Sequence, residues 1–431
     1  MRADFIVRRQ AACALALVVG MLATTRAEAQ AVAITNATIH PVSGPRIERG
    51  TIVIRNGVIA AVGTNVAIPD DAERVDGTGK IVTPGLVAVG TQLGLVEVGA
   101  VRETRDASAR GTDDVAASFR AWDGFNAASV LLAPARQDGG VTTVGIVPDG
   151  HVISGQAAAI DLAIGAGADP IRLAPAFMAA TLGDPLRAGA TARGEELAKL
   201  RAVLTDARAF RTTRLRIETG QTRPLSASFA DLQAMQPVLA GTIPLVIGAD
   251  RASDILNAIR LGRDFGIRVA IAGGSEAWTV APQLAAARVP VLAGALNDIP
   301  GSFSSLAQSQ ENLARLRAAG VTVAILGNGP GDEEAFNVRN LRYEAGNAVA
   351  YGLSWDDALR AITLAPAEVL GVAGTVGSLQ VGKQANLVLW SGDPFEYDTR
   401  AERVFVRGVS STAKTRQQLL TERYLSGAPR Y

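Results

Sequence analysis

The chain has 431 residues, of which 48% are hydrophobic and 19% charged, and its formal net charge is +1. A chain of this length and apolar content can bury an ample hydrophobic core. Because the net charge is small and no basic stripe or charge block stands out, the composition excludes the electrostatic footprint of a nucleic-acid-binding protein.

The first 29 residues have the pattern of a secretory signal peptide. Arg8 and Arg9 belong to a basic start, an apolar run follows from Ala11 to Ala23, and Ala27-Glu28-Ala29 gives a small-x-small cleavage site. A membrane anchor is the alternative, but a span needs about 20 apolar residues and this run is shorter. We therefore expect cleavage after Ala29 and a periplasmic or secreted bacterial protein without a membrane span.

Cleavage would also remove the only cysteine, because Cys13 lies in the apolar run. An exported protein without disulfides must be stabilised by its core alone. The net charge would change from +1 to −1, since four arginines and two acidic residues lie in the removed segment.

Strand patterns occur at both ends of the remaining chain. Near the N-terminal end they cover Ala33 to Ile39, Gly50 to Arg55 and Val58 to Val62. Near the other end a matching segment, Gly377 to Trp390, is followed by the strand-like Arg403 to Arg407. The pair Asn56-Gly57, which separates two of these segments, is a strong hairpin signal.

Between the two ends, strand-length apolar runs alternate with helical patterns. The expected strands are Val141 to Val147, Ile171 to Ala174, Ile243 to Ile247, Arg268 to Ala272, Val289 to Leu292 and Val321 to Leu326. The expected helices are Gly194 to Phe210, Ala252 to Phe265, Glu276 to Ala287, Leu306 to Ala319, Asn340 to Tyr351 and Trp355 to Leu364. This alternation is typical of a parallel α/β fold, and the region has the length of one (β/α)₈ barrel.

Three segments resemble motifs of the amidohydrolase superfamily. Residues Ile81 to Gly94 are similar to its first barrel strand, V-x-P-G-L-I-D-x-H-x-H-x-G. Residues Gly352 to Ala367 are similar to G-L-S-x-x-E-A-L-x-x-I-T-x-x-P-A, and Gly377 to Val388 to G-x-I-x-x-G-x-x-A-D-L-V, with Asn386 at the usual aspartate. The chain is identified as a member of this superfamily, close in style to its imidazolonepropionase-like and peptide-processing branches.

The resemblance implies an α/β fold with two parts. A TIM-like (β/α)₈ barrel would occupy residues 83–372. A small composite β-sandwich would be built from both chain ends, residues 30–82 and 373–431 with the C-terminal tail.

The same resemblance assigns the metal ligands of the family to residues that cannot bind a metal in this chain. The histidine, histidine and aspartate positions are occupied by Gly90, Gln92, Gly248, Gly273 and Asn328. Glycine has no side chain, and a carboxamide is a poor ligand beside imidazole or carboxylate. We therefore expect no metal cofactor, although the family implies zinc or another divalent cation. The loss of zinc removes about 12 kcal/mol of help in forming hydroxide from water.

Few residues could replace that chemistry. The chain has two histidines, of which His40 falls in the N-terminal sandwich and is expected to be structural. His151 follows the strand Val141 to Val147, in a loop at the catalytic face with Asp149. It is either an ordinary polar loop residue or a surviving ligand-binding or acid–base group.

Three charged residues follow the fifth and sixth barrel strands. Arg251 and Glu276 occupy family-typical positions, where capping or pairing is the expected role. Asp250 is a weak candidate for the site, because it could point across it toward Gln92 and Asn328.

Two functional hypotheses follow. The first is a non-catalytic member that binds a small amide or peptide-like ligand, or that acts as a partner subunit of an intact, active homologue in a homo- or hetero-oligomer. The alternative is a hydrolase of C–N bonds with a relocated or metal-free site that uses His151, Asp149 or Asp250.

Overall fold

The computed structural model describes residues 31–109, 111, 114–150, 152–163, 169–183, 192–218, 223–296, 299–327, 337–411 and 414–425. The expected signal peptide and two candidate site residues, His151 and Asn328, lie outside the described residues. Within the described part, no helix has both the length and the apolar character that a membrane crossing requires.

The strands, in chain order, are β1 Val32–Ile39, β2 Ile47–Arg55, β3 Val58–Gly63, β4 Glu73–Asp76, β5 Ile81–Pro84, β6 Leu86–Thr91, β7 Val141–Ile146, β8 Ile153–Asp161, β9 Ile171–Thr181, β10 Leu245–Ala249, β11 Val269–Gly273, β12 Val291–Ala293, β13 Val323–Ile325, β14 Leu387–Trp390, β15 Ala401–Val406 and β16 Val409–Ser411.

The α-helices are α1 Leu132–Gln137, α2 Arg193–Glu218, α3 Phe229–Ala234, α4 Gln236–Leu239, α5 Ala252–Phe265, α6 Ala281–Ala287, α7 Asn312–Ala318, α8 Leu341–Ala350, α9 Trp355–Ala361, α10 Leu364–Val369 and α11 Arg416–Leu425. Short 3₁₀ helices cover Arg102–Thr104, Ala121–Gly124, Ala277–Val280 and Val338–Asn340.

One sheet is built from both ends of the chain. Its order is β16-β15-β14-β5-β1-β2-β3, with β4 beside β1, so that β14 pairs antiparallel with β5. The expected Asn56-Gly57 hairpin joins β2 to β3, and both of its residues have positive φ, as a tight primed turn requires. The expected β-domain built from both chain ends is therefore present. Its strands form a single hydrogen-bonded sheet.

The second sheet is the barrel, in the order β6 to β13 along the chain. Its last strand, β13, contacts its first strand, β6, so the sheet curls almost into a closed cylinder. Helices follow most strands on the outside, and the predicted α/β TIM-like barrel is thus confirmed.

The third barrel strand departs from the expected all-parallel arrangement. Strand β8 runs antiparallel to both β7 and β9. Only residues 147–152 separate β7 from β8, and a parallel crossover needs about a dozen residues or more, so the chain can only turn back as a hairpin. All nine residues of β8 are buried.

Alternate residues of the barrel strands form two apolar layers. Val87, Val246 and Ala324 belong to a cluster that fills the barrel interior, together with residues of α10. Residues of the other layer, such as Leu86 and Leu245, point outward and pack against the helices in a larger cluster. The barrel is therefore a filled core, and polar chemistry is confined to its two ends.

Helix boundaries are clearest where capping residues mark them. Helix α5 has the predicted bounds and ends at Gly266, which adopts φ +64. Helix α9 begins after Ser354, whose hydroxyl accepts the backbone N–H of Asp357 at 3.1 Å. The predicted helix from Trp355 to Leu364 is shorter than expected, because the chain turns at Ile362 and restarts as α10.

Candidate ligand-binding site

A cavity of about 160 Å³ lies at the mouth of the barrel, where β6, β7, β9, β10 and β11 end and β8 begins. Three of the family ligand positions, Gly90, Gln92 and Gly248, line it. The structure therefore brings these three positions together at one cavity, although they carry no metal-binding side chain.

Position 90 is closed to a larger side chain. Gly90 has φ +83, a conformation that L-residues rarely adopt. A Cβ at this position would lie 2.9 Å from Cδ2 of Leu326, which packs against the apolar interior of the barrel. A histidine here would need both a strained backbone and a displaced leucine.

Position 273 is closed by a different group. Gly273 has φ +86, and a Cβ would lie 2.7 Å from Oδ1 of Asp250. That carboxylate accepts the backbone N–H of Ser275 at 3.1 Å and its hydroxyl at 2.7 Å. Asp250 is not among the residues that line the cavity. Its carboxylate is thus engaged with the turn after β11, whereas the sequence suggested that it could point toward Gln92 and Asn328.

Position 248, in contrast, has room for a larger side chain. Gly248 does not have positive φ, and the nearest atoms to a Cβ would be Ala180 O and Thr181 Oγ1, both at 3.7 Å. These are ordinary van der Waals distances. Since Ala180 and Thr181 also line the cavity, a side chain at position 248 would extend into it.

The donor set at the mouth does not fit a divalent metal. Among the described ligand positions, three are glycines and the fourth is Gln92, which is 4% exposed. No group of three or more His, Cys, Asp or Glu side chains could hold a metal ion within the described ranges. The four described ligand positions therefore supply neither the imidazole nor the carboxylate ligands that zinc chemistry needs.

The polar groups that do line the cavity are one carboxylate, one carboxamide and two hydroxyls, those of Asp149, Gln92, Ser154 and Thr181. Asp149 Oδ1 accepts the backbone N–H of Gly150 at 2.8 Å, which fixes the carboxylate at the wall. This set can accept hydrogen bonds from a ligand, and the described residues of the lining include no arginine or lysine.

Buried charges stabilise the rim beside the cavity. The carboxylate of Glu276 accepts the backbone N–H groups of Ala252 and Ala307, each at 3.0 Å. It thereby satisfies the first turn of α5, a capping role of the kind the sequence favours. Burial raises the pKa of Asp254, while Arg193, whose Nε lies 3.5 Å from Asp254 Oδ2, acts in the opposite direction.

Sequence reasoning missed the groups that fill the vacated space. Ser154 belongs to β8, which was not predicted as a strand because its central residues are mostly alanine. Leu326 was read only as the end of a strand. The motif shows where the histidines of the family are missing. The side chains that lie in their place belong to other segments of the chain, and only the tertiary structure shows which ones they are.

Comparisons with known proteins agree with this architecture. Residues 249–414 match the model of the Amidohydrolase family. The chain is 30% identical to an amidohydrolase of known structure from Thermotoga maritima MSB8, with a TM-score of 0.79 over 89% of this chain and 100% of that one.

Curated relatives point to one branch. The chain is 28% identical over 382 residues to the imidazolonepropionase of Acidiphilium cryptum, covering 81% of this chain and 89% of that protein. A match to the amidohydrolase tasK of Hapsidospora irregularis is 30% identical over 79 residues, 18% of this chain and only 8% of that larger protein.

Proposed function

Because this chain belongs to the amidohydrolase superfamily, in its imidazolonepropionase-like branch, we propose that it is an exported, non-hydrolytic member that binds a small amide or peptide-like ligand at the barrel mouth. It uses the family fold as a binding scaffold. Residues 1–29 direct it to the periplasm or out of the cell.

One observation carries the proposal: the backbone itself has adapted to the lost ligands. Gly90 and Gly273 both have positive φ, and the space beside them is taken by Leu326 and by the carboxylate of Asp250. A single ligand replaced on an otherwise intact site would leave the histidine pocket open. Here a Cβ at either position would lie within 3 Å of a neighbouring side chain, so a histidine would also require that side chain to move.

The alternative hydrolase, with a relocated site, receives less support. It needs an acid–base pair at the cavity, and of the described candidates only Asp149 lines it. Asp250 is bonded to Ser275 at 2.7 Å and supports the turn after β11. A single carboxylate can accept a proton, but hydrolysis also needs an activated water and a group that stabilises the developing oxyanion.

A second candidate function is that of a partner subunit for an intact homologue. Exposed apolar side chains on one segment favour it. Ile299, Phe303 and Leu306 are exposed by 78%, 87% and 62% on the segment after β12. The segment is anchored, since Ala307 N donates to Glu276 and Arg193 Nη2 donates to Ser304 Oγ at 2.7 Å. An apolar surface on an anchored segment is typical of an interaction site.

The first experiment is metal analysis of protein purified from the periplasm without chelator, by inductively coupled plasma mass spectrometry. We expect well under one equivalent of zinc, manganese or iron. Stoichiometric metal that is lost in His151→Ala or Asp250→Ala would overturn the proposal in favour of a relocated hydrolase site. Gly248→Ala is the matched control, because it changes a former ligand position without removing a donor.

The partner function is tested by co-expression with an intact homologue from the same genome, followed by size-exclusion chromatography. A mixed oligomer that dissociates in Phe303→Ser, while the metal-free cavity is unchanged, would support it. Separate elution of the two proteins would exclude it and leave ligand binding.

A further inference from the structure

Resting on the proposed binding function, we infer that the barrel mouth binds a peptide-like ligand that carries an apolar side chain. A small part of this ligand occupies the cavity, and its apolar side chain packs on the exposed residues 299–307, here called the apolar segment. This ligand class follows from the position of the segment, its fixed conformation and the size of the cavity.

The apolar segment lies on the same face of the barrel as the cavity. It follows β12, and it is bonded to the turns that follow two other strands. Ser304 Oγ donates to Gly183 O, after β9, at 3.4 Å, and Ala307 N donates to Glu276 Oε1, after β11, at 3.0 Å. Strands β9, β10 and β11 all contribute residues to the cavity. The segment therefore lies beside the ends of strands that form the site.

The chain itself limits the distance between the segment and the cavity. Thr181 lines the cavity, and Gly183 is two residues further along the chain. Two residues span at most about 7 Å, and Ser304 is hydrogen-bonded to Gly183. Because Phe303 is the neighbour of Ser304, its backbone lies within about 20 Å of Thr181, a distance that about six extended residues can cover.

The segment is fixed in a conformation that keeps its apolar side chains outside. Ser304 N donates to Ser302 Oγ at 3.1 Å, and Ser305 donates to Ser302 O through both its N–H and its hydroxyl, each at 3.2 Å. Phe303 lies within this turn and is 87% exposed. Since the fold has already ordered the turn, a ligand that covers the phenyl ring binds without the entropic cost of ordering it.

The size of the cavity identifies what covers the segment. The cavity measures about 160 Å³, and an engineered cavity of about 150 Å³ in another protein holds one benzene molecule. About six heavy atoms of a ligand therefore fit inside, so a peptide-like molecule leaves most of its atoms outside the mouth. The apolar segment contains no charged residue, and burial against it favours an apolar side chain in that outer part of the ligand.

The test uses three uncharged peptides: tetraglycine with acetylated and amidated ends, and the same peptide with leucine at its first or at its last position. Two leucine peptides are needed because either end could enter the cavity. Binding is measured by ligand-observed NMR titration on the full mature protein. We expect one leucine peptide to bind at least about tenfold more tightly than tetraglycine, because its side chain is buried. Equal affinities of the three peptides, or no binding at millimolar concentration, would overturn the inference.

Two variants locate the contact. Phe303→Ser removes the phenyl ring and should reduce the preference for leucine to within about twofold. Leu425→Ser is the matched control, because this leucine is 82% exposed on α11, and α11 is attached at the base, where Gln418 Nε2 donates to Asp138 Oδ1 at 3.1 Å. It should keep the full preference. A preference that survives Phe303→Ser, or that Leu425→Ser removes as well, would contradict the inference.

A third variant tests the part of the ligand inside the cavity. Gly248→Leu extends a side chain into it from a position where the nearest atoms to a Cβ lie at 3.7 Å. Binding of the preferred leucine peptide should weaken at least about tenfold. Unchanged binding would place the ligand elsewhere and contradict the inference.

Metal content measured on the same preparation separates the two proposals. Metal-free protein without a preference for leucine would refute only the ligand class, and it would leave the apolar segment to the partner function. Stoichiometric metal would refute the proposed function itself, whatever the peptides do.

Discussion

The two ends of the barrel have opposite chemistry. At the mouth, three of the described ligand positions are glycine, and among the described residues that line the cavity Asp149 is the one with an ionisable side chain. At the base, where the composite sheet meets β7, β8 and β9, a dense network of charged and polar side chains is buried. Strands β7 and β9 therefore begin at this polar junction and end at the mouth, whereas the antiparallel strand β8 begins at the mouth and ends at the junction.

Asp161 is the centre of the network at the base, with 1% of its surface exposed. It accepts hydrogen bonds from Arg172 Nε at 2.8 Å, from Arg407 Nε at 2.6 Å and from Thr143 Oγ1 at 2.9 Å. Asn386, at the usual aspartate of the family motif, donates to Thr143 Oγ1 at 3.3 Å and accepts Arg407 N at 2.7 Å. The network connects three barrel strands to the composite sheet.

The fold of the barrel does not depend on the residues at the ligand positions of the family. The contacts that join the two sheets lie at the opposite end from the ligand positions, so substitutions at the mouth leave them intact. Family resemblance in such a chain predicts the fold reliably and the chemistry poorly.

The largest effect is expected when the carboxylate of Asp161 at the base of the barrel is neutralised. Asp161→Asn leaves Arg172 and Arg407 without their carboxylate, and breaking a buried pair from one side costs about 3–5 kcal/mol. We expect a loss of that size in the free energy of unfolding, measured by urea denaturation. Asp149→Asn, the same change at the mouth, should stay within about 0.5 kcal/mol. Equal losses in the two variants would contradict the separation of roles.

A second test uses pH. Burial raises the pKa of Glu344 on α8 to about 7, beside Arg342, which donates to the carbonyls of Pro394 and Thr399 in the composite domain. A carboxyl whose pKa is higher in the folded state stabilises the fold at low pH, and this contribution is lost as pH rises from about 4.5 to about 7.

Glu344→Gln should therefore be more stable than the wild type above pH 7, by about 1–3 kcal/mol, and similar to it near pH 4.5. Thermal unfolding across this range measures the difference. A variant that is less stable than the wild type at high pH would show that the carboxylate is compensated in the folded protein.

A third test compares two glycines at the mouth. Gly90→Ala forces a side chain into positive φ and should cost about 1–2 kcal/mol. Gly248→Ala meets only ordinary contacts and should change stability by less than about 0.5 kcal/mol. Differential scanning calorimetry of the two variants tests whether the backbone requires glycine at position 90 but not at position 248; equal costs would contradict the assignment.

The smallest expected effect is that of His40, which is buried at the end of β1. Its ring centroid lies 4.3 Å from that of Trp355, and burial lowers its pKa below 6.5, with Asp356 acting in the opposite direction. Because protonation is costlier in the folded state, stability should fall as pH decreases below 6.5 toward the lowered pKa.

His40→Gln should weaken that dependence on pH, as measured by the melting temperature between pH 5 and 7. The direction is opposite to that of Glu344, so the pH profiles of the two variants distinguish the two groups. An unchanged pH profile in His40→Gln would exclude His40 as its source.

The sequence predicted much of the fold because motifs and capping residues act locally. The Asn56-Gly57 turn, the bounds of α5 and the cap at Ser354 each depend on a few neighbouring residues. Strand β8 was missed, since its segment Gln156-Ala157-Ala158-Ala159 lacks the β-branched residues typical of strands. Its assignment depends on burial between β7 and β9, which only the tertiary structure provides.

The motif identifies the ligand positions of the family but not the side chains that surround them. Lost ligands could be read at Gly90 and Gly273 from the motif, because a motif fixes residue positions. The groups that now occupy the space, Leu326 and Asp250, were not assigned that role. Side-chain packing across strands that are distant in sequence determines it.

The central claim is that the barrel mouth cannot bind a catalytic metal. The most direct measurement is anomalous X-ray diffraction at the zinc edge from crystals of the mature protein grown with excess zinc. We predict no anomalous peak within coordination distance of Gly90, Gln92, Gly248 or Gly273. A strong peak there, held by side chains of this chain, would contradict the account.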